Sequence, residues 1–196
     1  MANFFRTYRI DGDRRIDGVF AMSFIHNGQF FLTHISIYAD GMVDCWGLVD
    51  FATFKEKVRS GWVVTQLPEG ADVSVSFLAK FKAKEVRCFI APEDFILEVA
   101  DEIERLNGRP TTESQCLEAW KVYQNNPSPQ SIEILRSAYE AVPKHNRRYI
   151  LGDMDSKDFP IKSVLYPKEM EELRQSILTK RHPDPAASWW RFWKRN

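Results

Sequence analysis

The spacing of apolar residues divides the chain into two regions with different periods. Up to Ile90, short runs of Phe, Ile, Val, Tyr and Trp alternate with Gly-containing turns, which is typical of β-strands. After Ala91, apolar residues recur every three or four positions, which is typical of amphipathic helices. The pattern predicts an α+β fold: an N-terminal, mainly antiparallel β-sheet of about six strands with one packed helix, followed by a mostly helical C-terminal region.

Turn sequences set the predicted strand boundaries. Asp11-Gly12, Asp17-Gly18, Asn27-Gly28 and Asp40-Gly41 are pairs that supply the positive φ of tight hairpin turns. Asp50 is placed to cap a helix that follows it directly. The predicted strands are Gly18–Ile25, Gln29–Tyr38, Met42–Trp46, Trp62–Leu67, Asp72–Phe81 and Glu85–Ile90.

Helix signals dominate the second region. Pro92 suits a first helical turn, and Ser128-Pro129 combines an N-cap with a first-position proline. An apolar stripe in the first of these helices consists of Phe95, Val99, Ile103 and Leu106. We divide the chain into a β-rich region (1–91), a helical region packed against it (92–181) and a tail (182–196). The join at residues 90–93 lacks linker composition, so one continuous domain is the alternative.

Composition narrows the classes of function. The 27 Lys and Arg residues balance 27 Asp and Glu residues, which argues against a protein that holds nucleic acid by neutralising phosphates. No run approaches the roughly 20 apolar residues of a membrane helix, so no transmembrane segment is predicted. The three cysteines include no CxxC pair, so we expect free thiols and a cytoplasmic location. Nucleotide-binding and metal-ligand motifs are missing, so no cofactor or metal is expected.

The segment richest in ionisable groups lies between two predicted helices. Its candidate residues are His145, Arg147, Arg148, Asp153, Asp155 and Asp158. We favour scaffolding, in which Asp side chains cap helices and pair with Arg. The alternatives are a polar surface recognised by a partner and a metal-assisted phosphoester or phosphoryl enzyme, with Mg²⁺ on the carboxylates and phosphate on the arginines.

A second candidate lies on the central hairpin. A two-residue turn at Asp40-Gly41 would pair Ser36 with Cys45 and place His34 and Cys45 on one sheet face. Such a pair resembles a nucleophile beside a base, but catalysis would also need a third group to orient the histidine and donors for an oxyanion, and catalytic thiols usually lie at a helix N-terminus. We favour a packed thiol and a hydrogen-bonded histidine.

The tail combines aromatic and basic side chains. Its candidate binding residues are Trp189, Trp190, Arg191, Phe192 and Trp193. This composition suits a segment that docks on its own chain, a dimer or partner contact, or a membrane surface. Taken together, the sequence predicts a non-catalytic intracellular interaction protein. A protein partner or self-association is expected rather than a small molecule, nucleic acid or a membrane surface.

Overall fold

The computed structural model describes residues 5–76, 78–152 and 157–181. An antiparallel sheet with one helix occupies its N-terminal part and helices dominate the rest, so the predicted α+β class is confirmed. The first elements are β1 (Phe5–Asp11), β2 (Arg14–Asn27), β3 (Gln29–Tyr38), β4 (Met42–Asp44), β5 (Leu48–Asp50), α1 (Phe51–Arg59), β6 (Val63–Val64), β7 (Asp72–Val75) and β8 (Ala79–Lys82). The later helices are α2 (Pro92–Leu106), α3 (Thr112–Asn125), α4 (Pro129–Ala141), α5 (Lys144–Arg147), α6 (Phe159–Leu165) and α7 (Pro167–Arg181).

Two long strands, β2 and β3, form the centre of one sheet. At one end of this hairpin the strand order is β1-β2-β3-β4-β5, and every neighbouring pair is antiparallel. At the other end β6 lies beside β2, while β7 pairs in parallel with β3 and then antiparallel with β8. The β2–β3 hairpin therefore supports both halves of the sheet.

Several local strand predictions were wrong. β4 ends at Asp44, before Trp46 takes a left-handed φ of 64°. The predicted strand 72–81 is two strands, separated by a turn in which Ser76 has φ 45°. No strand forms over 85–90, where Glu85 has φ 52° and breaks the extended path. β1 is a further edge strand that the pattern did not predict.

Gly18 lies inside β2 and not in a turn, which corrects the interpretation of Asp17-Gly18. It pairs with Tyr38 of β3. A Cβ atom on Gly18 would lie 2.6 Å from the Ile37 carbonyl oxygen and 2.7 Å from the Tyr38 ring. Glycine is therefore needed here for the close approach of two strands.

The first core lies between one face of the sheet and helices α1 and α2. Asp50 caps α1 as predicted, because its carboxylate accepts a 2.7 Å hydrogen bond from the Thr53 amide. Phe54 of α1 meets Phe95 of α2 edge to face, with ring centroids 6.1 Å apart. This core extends to Leu106, past the boundary drawn at residue 91. The division into domains stays a prediction.

Helices α3, α4 and α6, with residues around α5, enclose a second core. Ser128 caps α4 as predicted, since its hydroxyl accepts a hydrogen bond from the Ser131 amide at 3.1 Å. The most deeply buried members of this core are Cys116, Leu135, Val142 and Ile161. We call residues 5–106 the sheet unit and residues 112–181 the helical unit.

The polar face of α2 joins the two units. The Asp101 carboxylate accepts a 2.8 Å hydrogen bond from the amide of Thr112, at the start of α3. Asp94 likewise accepts from the Lys144 amide at 3.0 Å. Both carboxylates are buried, so α2 packs its apolar stripe on the sheet and uses its acidic stripe to hold the helical unit.

Candidate functional site

The structure separates His145 from the arginines that follow it in the sequence. Its Nε2 lies 3.3 Å from Glu98 Oε2 on α2, and both side chains are almost fully buried. Neither ring nitrogen makes a hydrogen bond within the described residues. His145 therefore belongs to the contact between the sheet unit and the helical unit.

Asp158 and Arg147 are committed to contacts within the helical unit. The buried Asp158 carboxylate accepts a hydrogen bond from the Tyr139 hydroxyl at 2.7 Å. It also forms an ion pair with Lys162, whose Nζ lies 2.9 Å away. Burial, together with this hydrogen bond, raises the pKa of the Tyr139 phenol well above its usual range. Arg147 donates to the Val142 and Glu140 carbonyls at 2.9 and 2.7 Å, which satisfies the end of α4.

Two of the three predicted carboxylates, Asp153 and Asp155, lie outside the described residues. So do Trp189, Trp190, Arg191, Phe192 and Trp193 of the tail. Within residues 5–76, 78–152 and 157–181, no group of three His, Cys, Asp or Glu side chains could hold a metal ion. None of the helices described there has both the length and the apolar character that a membrane span needs.

The predicted facing of His34 and Cys45 was wrong because the hairpin register differs by one residue. Ser36 pairs with Asp44, which leaves a three-residue loop after Tyr38 in place of a two-residue turn. A one-residue shift moves a side chain to the other face of a sheet. Cys45 is consequently buried in the first core, whereas His34 is exposed on the opposite face and contacts Phe20, with ring centroids 4.6 Å apart.

That opposite face of the sheet carries an apolar surface, which the sequence interpretation missed. We call it the open face, and its residues are Phe20, Met22, Phe24, Phe30, Leu32 and His34. Met22 is 55% exposed and neighbouring Phe5 is 68% exposed, and none of the six belongs to either core. The signal was in the sequence, because a strand with one solvated face normally alternates apolar and polar residues, and β2 and β3 do not.

A cleft in the helical unit collects basic side chains from separate segments. It has a volume of about 630 Å³, and α5, the start of α6 and the start of α7 surround it. Arg147 and Arg148 were predicted candidates, whereas Lys144, Lys157 and Lys162 were missed. Lys144 lies on α5, and Lys157 and Lys162 lie before and within α6, so it is the packing of the helical unit that brings Lys144 and the two later lysines to one cleft.

A family model described as "Domain of unknown function (DUF7638)" matches residues 6–110, more than half of the chain, and the chain belongs to this family. A second model, "Domain of unknown function (DUF7639)", matches residues 111–191. The two matches meet between α2 and α3, where the first core gives way to the second. No curated protein and no solved structure has significant similarity to the chain.

Proposed function

We propose that this protein is a non-catalytic binding protein that works as a homodimer, with the open faces of two copies packed together. The observation that carries the proposal is the contiguous apolar surface that side chains of β2 and β3 form on the open face. Met22 is 55% exposed at the centre of the open face, and Phe20, Phe24, Phe30 and Leu32 around it are half-buried. Soluble chains rarely leave a contiguous apolar surface of this kind in water.

The architecture of the sheet favours a partner that covers the open face with a flat apolar layer of its own. A sheet with two apolar faces is stable when each face is covered, and within the described residues the helices of the sheet unit, α1 and α2, cover one face. Two such sheets packed face to face form a sandwich with the side chains of both inner faces interleaved. A second copy of this chain supplies that layer without requiring any other molecule.

Charge also favours a second copy as the occupant. The open-face positions of β2 and β3 from Gly18 to Tyr38 include no Lys, Arg, Asp or Glu, and their ionisable side chains near neutral pH are those of His26 and His34. A strongly charged face would repel its own copy, whereas a neutral apolar face does not. The association should accordingly depend little on salt concentration.

Sedimentation of matched variants tests this proposal. Met22→Glu places a charge at the centre of the open face on a side chain exposed enough for the monomer to tolerate it. We expect the wild-type chain to sediment at twice its chain mass and Met22→Glu to sediment as a monomer with an unchanged circular dichroism spectrum. Ile134→Glu, at a 49% exposed position on α4, is the control and should remain dimeric.

The outcomes separate the possible occupants of the open face. A wild-type chain that is monomeric at every concentration, or a Met22→Glu variant that stays dimeric, contradicts the proposal. Capture of a different protein by the wild-type monomer would assign the open face to that protein instead.

The metal-assisted enzyme alternative draws less support from the described residues. Asp158 is bound to Tyr139 and Lys162, and His145 faces Glu98. Titration with Mg²⁺ tests the alternative through Asp153→Asn/Asp155→Asn, since a metal-dependent rise in Tm that this variant loses would favour the enzyme.

The three free cysteines support the proposal of a reducing, cytoplasmic location.

A further inference from the structure

We propose that the basic cleft of the helical unit binds a small molecule carrying two or more phosphate groups. This site is separate from the open face and does not depend on the homodimer. The proposal rests on the number of cationic groups in one cleft, on how they are held, and on which of them lack a carboxylate partner.

The cationic groups come from three segments that the second core fixes in place. Lys144, Arg147 and Arg148 belong to α5 and the residue after it, Lys157 precedes α6, and Lys162 lies within α6. Among the described residues that line the cleft, five positive charges therefore face two carboxylates, Asp158 and Glu169. A concave surface with an excess of one sign of charge attracts ligands of the opposite sign.

Two of the five cations, Arg147 and Lys162, are held in position by contacts within the helical unit. The Arg147 guanidinium is anchored by its two backbone acceptors and lies 5.4 Å from the centre of the Tyr139 ring, and its Nη1 takes part in neither bond. Lys162 is held by Asp158, whose negative charge it offsets. A ligand would meet these groups already oriented, so little side-chain entropy would be lost on binding.

The other three cations lack a carboxylate partner within the described part of the chain. Lys144 and Arg148 make no ion pair there, and Lys157 only approaches the Tyr149 ring, at 5.8 Å. Arginine suits phosphate because its planar donors match two phosphate oxygens, and lysine adds point charges. Three cations without carboxylate partners beside a fixed pair suit a ligand with more than one phosphate.

The volume of the cleft agrees with a ligand of this class. At about 630 Å³ it falls within the range of small-molecule sites, roughly 300–1,000 Å³. Phe159, Met170 and Leu173 add apolar surface to the lining, against which a non-phosphate portion of the ligand could pack.

Calorimetric titration of the full chain with pyrophosphate, in low-salt buffer without divalent cations, tests the proposal. Lys144→Gln/Arg148→Gln removes two exposed cations whose side chains make no hydrogen bond or ion pair with the described residues. We expect wild-type binding that weakens steeply with added NaCl, and a loss of affinity of about tenfold or more in this variant. The control, Lys80→Gln/Lys84→Gln, removes the same charge from exposed positions of the sheet unit and should bind like wild type.

Further outcomes decide against the proposal. Absence of pyrophosphate binding by the wild-type chain overturns it, as does equal weakening by both double variants, which would indicate net charge alone. Loss of binding in Asp153→Asn/Asp155→Asn also overturns it, because cations hold the phosphate in this proposal. Met22→Glu should bind pyrophosphate normally, so failure of the homodimer and failure of the cleft are distinguishable.

Discussion

The Tyr139 hydroxyl donates a 2.7 Å hydrogen bond to the buried Asp158 carboxylate, and this contact ties α4 to the start of α6. It links the second core to the basic cleft, because both residues lie at the lining of the cleft. The Lys162 ammonium completes the surroundings of the carboxylate at 2.9 Å.

Removing the Tyr139 hydroxyl should destabilise the protein measurably. Tyr139→Phe keeps the ring in the core but leaves Asp158 with one donor fewer, which should lower the free energy of unfolding by about 1.5–3 kcal/mol. Tyr166→Phe is the matched control, because its hydroxyl donates to exposed Glu140 at 3.0 Å and should cost less than about 1 kcal/mol. Urea denaturation of both variants measures the difference, and equal costs would show that burial of Asp158 adds nothing.

Gly18→Ala should be poorly tolerated. The new methyl group would need space that the Ile37 carbonyl occupies, and a backbone atom in a central strand cannot move cheaply. We expect a loss of about 1–3 kcal/mol in unfolding free energy, as for overpacked sites. Thr7→Ala, directly opposite Gly18 on β1, is the control and should cost less. A Gly18→Ala chain as stable as Thr7→Ala would refute the close approach.

Glu113 should make stability depend on pH in the acid range. Burial raises its pKa, the neighbouring Asp101 and Glu98 raise it further, and Arg105 opposes them. The folded chain therefore binds this proton more tightly than the unfolded chain, and stability falls as pH rises above about 4.3, the ordinary value for Glu. Glu113→Gln should have a higher Tm than wild type at neutral pH, and the gap should close as pH falls.

The control for this pH dependence is exposed Glu118 on the same helix. Glu118→Gln should show no such pH-dependent gain over wild type. If the gap between Glu113→Gln and wild type stayed constant with pH, the Glu113 carboxyl would not be the titrating group.

The three thiols should differ sharply in reactivity. Burial raises the pKa of the Cys45 thiol, and it raises the pKa of Cys116 to about 11, whereas Cys88 is partly exposed. Because the thiolate is the reactive form, iodoacetamide should label Cys88 first in the native protein. Peptide mapping should find Cys45 and Cys116 labelled only in denaturant. Rapid labelling of Cys45 in the native protein would support the interpretation of this thiol as a nucleophile.

Local signals in the sequence were sufficient to predict the class of fold and several helix ends. Asp50, Pro92 and Ser128 act within one turn of their own position, so their roles can be inferred without knowledge of tertiary contacts. The apolar stripe of α2 was equally accessible, because a helical face depends only on spacing along one segment.

The β3–β4 register, the open face and the lining of the basic cleft could not be predicted from any single segment of the sequence. The β3–β4 register depends on whether the loop after Tyr38 has two or three residues, and the pair Asp40-Gly41 suits both. The open face emerges only when β2 and β3 are aligned side by side. The basic cleft was predicted only in part: Arg147 and Arg148 were candidates, whereas Lys144, Lys157 and Lys162 were not, because the lining of the cleft depends on how α5, α6 and α7 pack within the helical unit.

The measurement closest to the central claim is an isotope-filtered NOE spectrum of a mixture of methyl-labelled and unlabelled full-length chains. The homodimer predicts intermolecular contacts from the Met22 methyl group to the rings of Phe20, Phe24 or Phe30 on the other copy, and none from Met170 in the cleft. A spectrum with no intermolecular contact at Met22, recorded on a chain that sediments as a single species, would contradict the claim.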